Sequence, residues 1–432
     1  MPAIVVIGGQ WGDEGKGRIV DLLARRASIV ARYSAGNNAG HTVINQLGEF
    51  KLNLVPAGIF YPGKTCIIGN GVVVDPGRLL EEIHHLESRG VSVKNLHVSD
   101  RAHVLMPYHR IIDLKDEELR AASGGAIGTT GRGVGPAFAD KVARIGIRTA
   151  DLTDPEWFYE RLRYVLEYKN AVLTKLYGAE PLDLDQVYQE YVEYGRQLAP
   201  FVRDTSVLVQ EALARGERVL LEGAQGALLD LDFGTYEYVT SSVPSSSAAG
   251  AALGIGIGPT EIERVVGVYK AYTTRVGNGP FPTEQAGEIA ERLAGGLRPE
   301  VGTTTGRPRR CGWFDAVAAR YTARLNGVHA AVLTRLDVLD QFSTIKVCTG
   351  YQTNGDILET FPANPAVLAR CTPVYEELPG WETPTSHARR FEDLPARAQG
   401  YVRRIEELIG VPVDLVSVGP ERDQAIIVNP IF

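Results

Sequence analysis

The chain reads as an α/β protein with a largely parallel central sheet flanked by helices and interrupted by a helical insertion. Three observations predict this. Short apolar runs of strand length recur at 4–7, 67–68, 72–74, 219–221, 265–268, 330–333 and 415–418, and several end at glycine or at a polar loop. Helical patterns lie between some of them, as at 77–88 and 155–177. The first run leads into a glycine-rich turn and then an amphipathic pattern at 19–26, giving a strand–loop–helix unit. Ligands in sheets of this kind collect at the carboxyl ends of strands, which is where the polar loops fall.

Bulk properties narrow the classes. The 432 residues contain no linker, charge block or repeat. The chain is therefore expected to be one α/β domain over 1–432, with a charged, aromatic, mostly helical insertion at about 151–217. A hydrophobic content of 44% suits a large core. The net charge of -7 argues against a nucleic-acid or membrane partner, so local basic clusters should serve small anions. No signal-peptide pattern and no membrane-length apolar run occurs. The four cysteines, Cys66, Cys311, Cys348 and Cys371, form no CxxC pair, which fits reduced thiols in a cytoplasmic protein.

The first turn reads Gly8-Gly9-Gln10-Trp11-Gly12-Asp13-Glu14-Gly15-Lys16-Gly17-Arg18. Its glycines let the backbone approach a phosphate, and the following helix aims unpaired N–H groups at it. It is P-loop-like without being a Walker A loop. That pattern has four residues between Gly and Gly-Lys, then Ser or Thr for magnesium. Here five residues separate Gly9 from Gly15, and Gly17 takes the hydroxyl position. The loop carries Asp13 instead. A carboxylate beside phosphates is unfavourable unless a cation neutralises it or it works as a base, so the loop predicts chemistry as well as binding.

Other segments carry polar groups on glycine-flexed loops. They are Asn37-Asn38-Ala39-Gly40-His41-Thr42, Gly128-Thr129-Thr130-Gly131-Arg132-Gly133-Val134-Gly135-Pro136, Glu222-Gly223-Ala224-Gln225-Gly226, Thr303-Thr304-Thr305-Gly306-Arg307-Pro308-Arg309-Arg310 and Thr334-Arg335-Leu336-Asp337. Each has a plainer alternative when taken alone. Thr129, Thr130 and Arg144 are either an anion cradle or a turn near a surface arginine. Arg335 and Asp337 are either a base-reading pair or a strand-end ion pair. The 307–310 arginines are either carboxylate forks or a solvated face. A lone histidine is more often structural, as expected for His84, His85, His97, His103, His109, His329 and His387.

In their order, and from the start of the chain to about Pro420, these segments resemble those of the adenylosuccinate synthetase family, ligases that join IMP and L-aspartate at the expense of GTP. The resemblance implies that Asp13 is the general base and, with the Gly40 carbonyl, a Mg2+ ligand. His41 is then the acid that stabilises phosphoryl transfer. IMP would contact Asp13, Glu14, Gly15, Lys16, Asn38, Ala39, Gly40, His41, Thr130, Gln225, Thr240 and Arg307, with Arg144 supplied across a homodimer interface. GTP would contact Gly12, Asp13, Glu14, Gly15, Lys16, Gly17, Arg18, Gly40, His41, Thr42, Arg309, Arg335, Leu336, Asp337, Ser417, Val418 and Gly419. Aspartate would contact Thr303, Thr304, Thr305, Gly306, Arg307, Pro308 and Arg309. The reaction would run through 6-phosphoryl-IMP in AMP biosynthesis. Pro308 stands where many members carry arginine, Arg335 and Arg18 replace common lysines, and 241–249 departs from the bacterial pattern. Three rivals remain at this point, a nucleotide kinase with an atypical phosphate loop, a GTP-binding regulator and, weakest, a glycine-rich Rossmann unit, for which no intact GxGxxG follows the first strand. The first leaves the 303–310 loop without a role, and the second does not need Asp13, His41 and Gln225 together.

Overall fold

The computed structural model describes residues 3–243, 247–295, 299–302 and 306–432. A ten-stranded sheet runs through it. In chain order its strands are β1 (Ala3–Gly8), β2 (Ile29–Arg32), β3 (Thr65–Ile68), β4 (Leu96–Ser99), β5 (Val202–Arg203), β6 (Val219–Glu222), β7 (Ile262–Lys270), β8 (Ala330–Thr334), β9 (Val413–Ser417) and β10 (Ala425–Ile427). In space they are ordered β10-β9-β8-β7-β1-β6-β2-β3-β4-β5. All neighbours pair in parallel except β9 and β10. The 72–74 run lies outside this sheet, where Val73–Val74 pairs with His103–Val104.

β1 has no polar alternation because both faces are covered, and all six of its residues are buried. In register, Val5 lies opposite Leu221 on one side and Val265 on the other. Ile4 and Val6 face the core that Ile19, Val20 and Leu23 of helix α1 (Lys16–Ala24) complete. Val5 and Ile7 face the opposite core, closed by Val209, Ala251 and Ile255. Burying each such side chain contributes about 1.5–3 kcal/mol, so the strand that carries the first loop is firmly held.

The helical block differs from the expected 151–217 insertion. Helices α2 (Pro107–Ala122), α3 (Val134–Ala143), α4 (Pro155–Tyr177) and α5 (Leu184–Leu198) contribute to it. Tyr108, Ile112, Phe158, Leu162, Val165 and Val187 share its core. The block therefore begins some forty residues before position 151, a distance read from the bounds of α2. It also ends earlier, because Val202 pairs with Val98 and the helix Thr205–Ala214 packs Val209 and Ala212 on the sheet. The start is hard to read because two of the four buried residues of α2, His109 and Asp113, are polar.

A candidate active site at the carboxyl ends of the strands

The loops after β1, β2, β6, β8 and β9 open on one cavity of about 1160 Å³, which the helical block borders through Thr129, Thr130 and Lys169. It lies where crossovers leave to both sides of β1, the position that parallel sheets reserve for ligands.

The first loop is stapled from inside. Glu14 is fully buried. Its Oε1 accepts from the backbone N–H of Gln10 at 3.0 Å and of Gly12 at 2.9 Å, and its Oε2 accepts from Lys16 Nζ at 2.6 Å. The Glu14 carboxylate thus shapes the loop, and Glu14, Gly15 and Gly17 all line the cavity, where the sequence expects them to meet substrate. Gly15 caps α1 at φ 88, a left-handed conformation that favours glycine, and the helix start has no side-chain cap. Its first N–H groups are left for an anion. Gly17 has a different reason. A Cβ there would lie 2.7 Å from the His41 Cβ, so the hydroxyl residue of a Walker A loop does not fit. Asp13 stands at φ 59, and its Oδ2 accepts from Arg309 Nε at 2.8 Å.

His41 follows β2 and begins the hairpin strand His41–Asn45. It is buried, and its Nδ1 pairs with Oε1 of the fully buried Glu222 at the end of β6. Glu222 Oε2 accepts from the Ala57 N–H at 2.8 Å, and Arg32 lies 3.9 Å from Oε1. Burial on its own would raise the Glu222 carboxyl, but His41, Arg32 and the Ala57 N–H hold it below the usual carboxylate range. Burial and the charge of Arg32 push His41 down, against the pull of Glu222. Glu222 therefore takes the Nδ1 proton as a hydrogen bond and leaves Nε2 as the second ring nitrogen of a residue that lines the cavity. The sequence pointed to His41 and passed over Glu222.

At the other end of the cavity, Thr334 Oγ1 donates to the Glu14 carbonyl at 2.6 Å and ties β8 to the first loop. Arg335 stands at φ 62 and directs Nη2 to Glu300 at 3.2 Å. The Asp337 Oδ1 is buried and has no hydrogen-bond partner among the described residues. Burial pushes its carboxyl up, against Arg335 and Arg18. Arg18 reaches from α1 to the Ser417 hydroxyl and the Gly419 carbonyl.

Most residues expected at the site share this cavity: Gly12, Asp13, Lys16, Arg18, Asn38, Ala39, Gly40, His41, Thr42, Thr130, Gln225, Thr240, Gly306, Arg309, Arg335, Asp337, Ser417 and Gly419 all line it. Gln225 holds a left-handed φ of 52 just past β6. Leu336 and Val418 do not line the cavity and are buried. Arg307 lies outside the lining and bonds the Gly128 carbonyl at 3.0 Å, and Pro308 pairs with Val301. Arg144 is exposed at the end of α3 and outside the cavity. Thr303, Thr304, Thr305 and part of the 241–249 stretch lie outside the described residues. Among the described residues no three His, Cys, Asp or Glu side chains group as a metal site.

A profile of the adenylosuccinate synthetase family matches residues 5–426. The chain belongs to the adenylosuccinate synthetase family. It is 53% identical over 429 residues to adenylosuccinate synthetase of Dehalococcoides mccartyi, covering 99% of this chain and 100% of the relative. It is 54% identical over 434 residues to that of Heliobacterium modesticaldum, covering both chains fully. The solved structure of fully ligated adenylosuccinate synthetase from Plasmodium falciparum superposes with a TM-score of 0.93 at 36% identity, covering 99% of this chain and 100% of that one. Membership makes the chain a ligase and supports the joining of IMP and aspartate to adenylosuccinate in purine biosynthesis.

Proposed function

We propose that the chain makes adenylosuccinate with GTP as co-substrate, through 6-phosphoryl-IMP. The observation that carries this is the placing of Asp13, His41 and the unpartnered Asp337 Oδ1 around one cavity. IMP O6 is a poor nucleophile while N1 keeps its proton. Asp13 takes that proton. O6 then attacks the γ-phosphorus of GTP, and GDP leaves. His41, held by Glu222, donates to the transferring phosphoryl group as its charge develops. The aspartate amine next attacks C6, phosphate leaves, and adenylosuccinate forms. Arg309, in the cavity lining, and Arg307, outside it, carry guanidinium groups of the kind that bind the aspartate carboxylates. An assay with IMP, GTP and aspartate, omitting each in turn, tests the reading. Activity that survives the loss of any one of them overturns it.

The Asp13 carboxylate and the Gly40 carbonyl are hard oxygen donors in the same cavity. That suits Mg2+, which keeps water and substrate phosphates among its ligands. When bound there it would offset phosphate charge during transfer.

Asp337 reads guanine. A carboxylate accepts from both N1–H and the N2 amino group, whereas adenine presents the wrong pattern. Asp337→Asn should lower kcat/KM for GTP by about one to two decades, since mispairing a buried polar edge costs roughly 1–3 kcal/mol. XTP, with a carbonyl at position 2, should gain relative to GTP. The kcat/KM ratio of GTP to XTP measures this, and an unchanged ratio removes Asp337 from base reading.

The active form is a homodimer in the cytoplasm. Exposed Leu114, Leu119, Val142 and Leu176 on the helical block support a second copy there, beside the exposed Arg144. Arg144 would then reach the IMP phosphate of the neighbouring site. Arg144→Leu should raise the KM for IMP more than that for GTP. Mixing Arg144→Leu with Asp13→Asn subunits should restore activity above either parent, because hybrid dimers contain one intact site. A mixture no more active than its parents rejects the shared site.

A further inference from the structure

Glu300 is buried where the 299–302 and 306–309 segments pair. Its carbonyl accepts from the Arg309 N–H at 2.9 Å. Its side chain gathers three cations. Oε2 accepts from Lys270 Nζ at 2.9 Å and from Arg309 Nη1. Oε1 faces Arg335 Nη2 at 3.2 Å and accepts from the Tyr272 hydroxyl. Lys270 matches the carboxylate charge one for one, so the two arginines bring positive charge beyond neutrality. Each reaches further. Arg309 pairs with Asp13 through Nε at 2.8 Å, and Arg335 precedes Asp337 at the base-reading end. One side chain therefore stands between the Asp13 end of the cavity and its Asp337 end.

We propose that Glu300 is a positioning residue that holds Arg309 for aspartate and Arg335 for GTP at once, so that both sites are built around one carboxylate. This rests on the assignment of IMP, GTP and aspartate made above. Burial alone would raise the Glu300 carboxyl, but Lys270, Arg309 and Arg335 reverse this and hold it below the usual carboxylate range. Its cationic neighbours thus favour the charged form that holds the arginines. The other carboxylate that Arg309 reaches, Asp13, is partly exposed and is itself a reacting group.

The test is Glu300→Gln, which keeps the side-chain length and removes the charge. The KM values for aspartate and GTP should each rise by about 10–100-fold, the equivalent of a lost charged hydrogen bond. The KM for IMP should rise least, because Glu300 reaches the IMP end only through Arg309 and Asp13. Glu300→Asp, which keeps the charge one methylene back, should recover part of both losses. A merely structural role would lower the active fraction without separating the three KM values. Wild-type KM values for aspartate and GTP, or an equal rise in all three, overturn the proposal. If Glu300→Gln does not fold, Glu300→Asp is read by the same criterion, and wild-type aspartate and GTP KM values in it overturn the proposal too. The wild-type enzyme serves as the control. If it needs all three substrates while the variants behave as wild type, the proposal fails and the reaction assignment stands. If the wild-type enzyme does not need all three, the assignment itself fails.

Discussion

Asp13→Asn should abolish nearly all synthesis while leaving the protein folded. The loss of a general base alone costs about 10²–10⁴-fold, and the change also removes the negative oxygen expected to hold Mg2+. Asparagine is the right replacement because position 13 sits at φ 59, where Asp and Asn are the side chains that tolerate left-handed backbone. The amide oxygen can still accept from Arg309, so the loop keeps its contact to the 306–309 segment. What it cannot do is take the N1 proton of IMP. Single-turnover formation of adenylosuccinate should fall by at least a hundredfold, with Tm moved by only a few degrees. A variant within tenfold of wild type would remove Asp13 from the proton transfer.

Glu222→Gln should lower kcat by about 10²–10³-fold, through His41 rather than through any substrate contact. The carboxylate favours the imidazolium, whereas burial, Arg32 and Lys16 oppose it. If protonated His41 is the working form, activity declines as pH rises through its pKa. Removing the Glu222 charge lowers that pKa, so the decline must move to more acidic pH. Gln also offers either an oxygen or an N–H to Nδ1, which frees the ring from one tautomer. The same change strips Arg32, which is 1% exposed, of the larger of the two acidic influences on it, Glu222 over Glu82, so Tm should fall as well. The decisive measurement is kcat against pH in wild type and variant. An unshifted profile would mean that Glu222 serves packing alone.

The sequence carries what is local. The strand, glycine turn and helix of the first unit are contiguous, so composition and period show them. The polar loops are legible because each follows an apolar run at a strand end. What sequence hides are partners brought together by the sheet. His41 and Glu222 are 181 positions apart, and Asp13 and Arg309 are 296 apart. Glu222 opens one of the polar glycine loops, but nothing in its own neighbourhood marks it as the partner of a histidine. Glu300 is the harder case, since a single glutamate after Pro299 resembles any surface residue until Lys270, Arg309 and Arg335 are seen around it. The start of the helical block is hidden from sequence because His109 and Asp113 are buried as anchors, to Asp140 and to the Gly133 N–H, and so break the apolar stripe of α2.

The contact between Gly17 and His41 has a consequence for how such a loop can change over time. Serine at 17 would bring the magnesium-binding hydroxyl of a kinase loop, yet its Cβ would drive into the histidine backbone and side chain. Removing the histidine first would give up the acid before the hydroxyl is gained. Any residue but glycine at 41 keeps a Cβ at this contact, so a side chain at 17 requires a change of backbone or residue at 41 as well, and the two positions are coupled. A lineage that holds this glycine and this histidine is locked away from the kinase-type loop by one interatomic distance, however similar the surrounding strand, turn and helix remain.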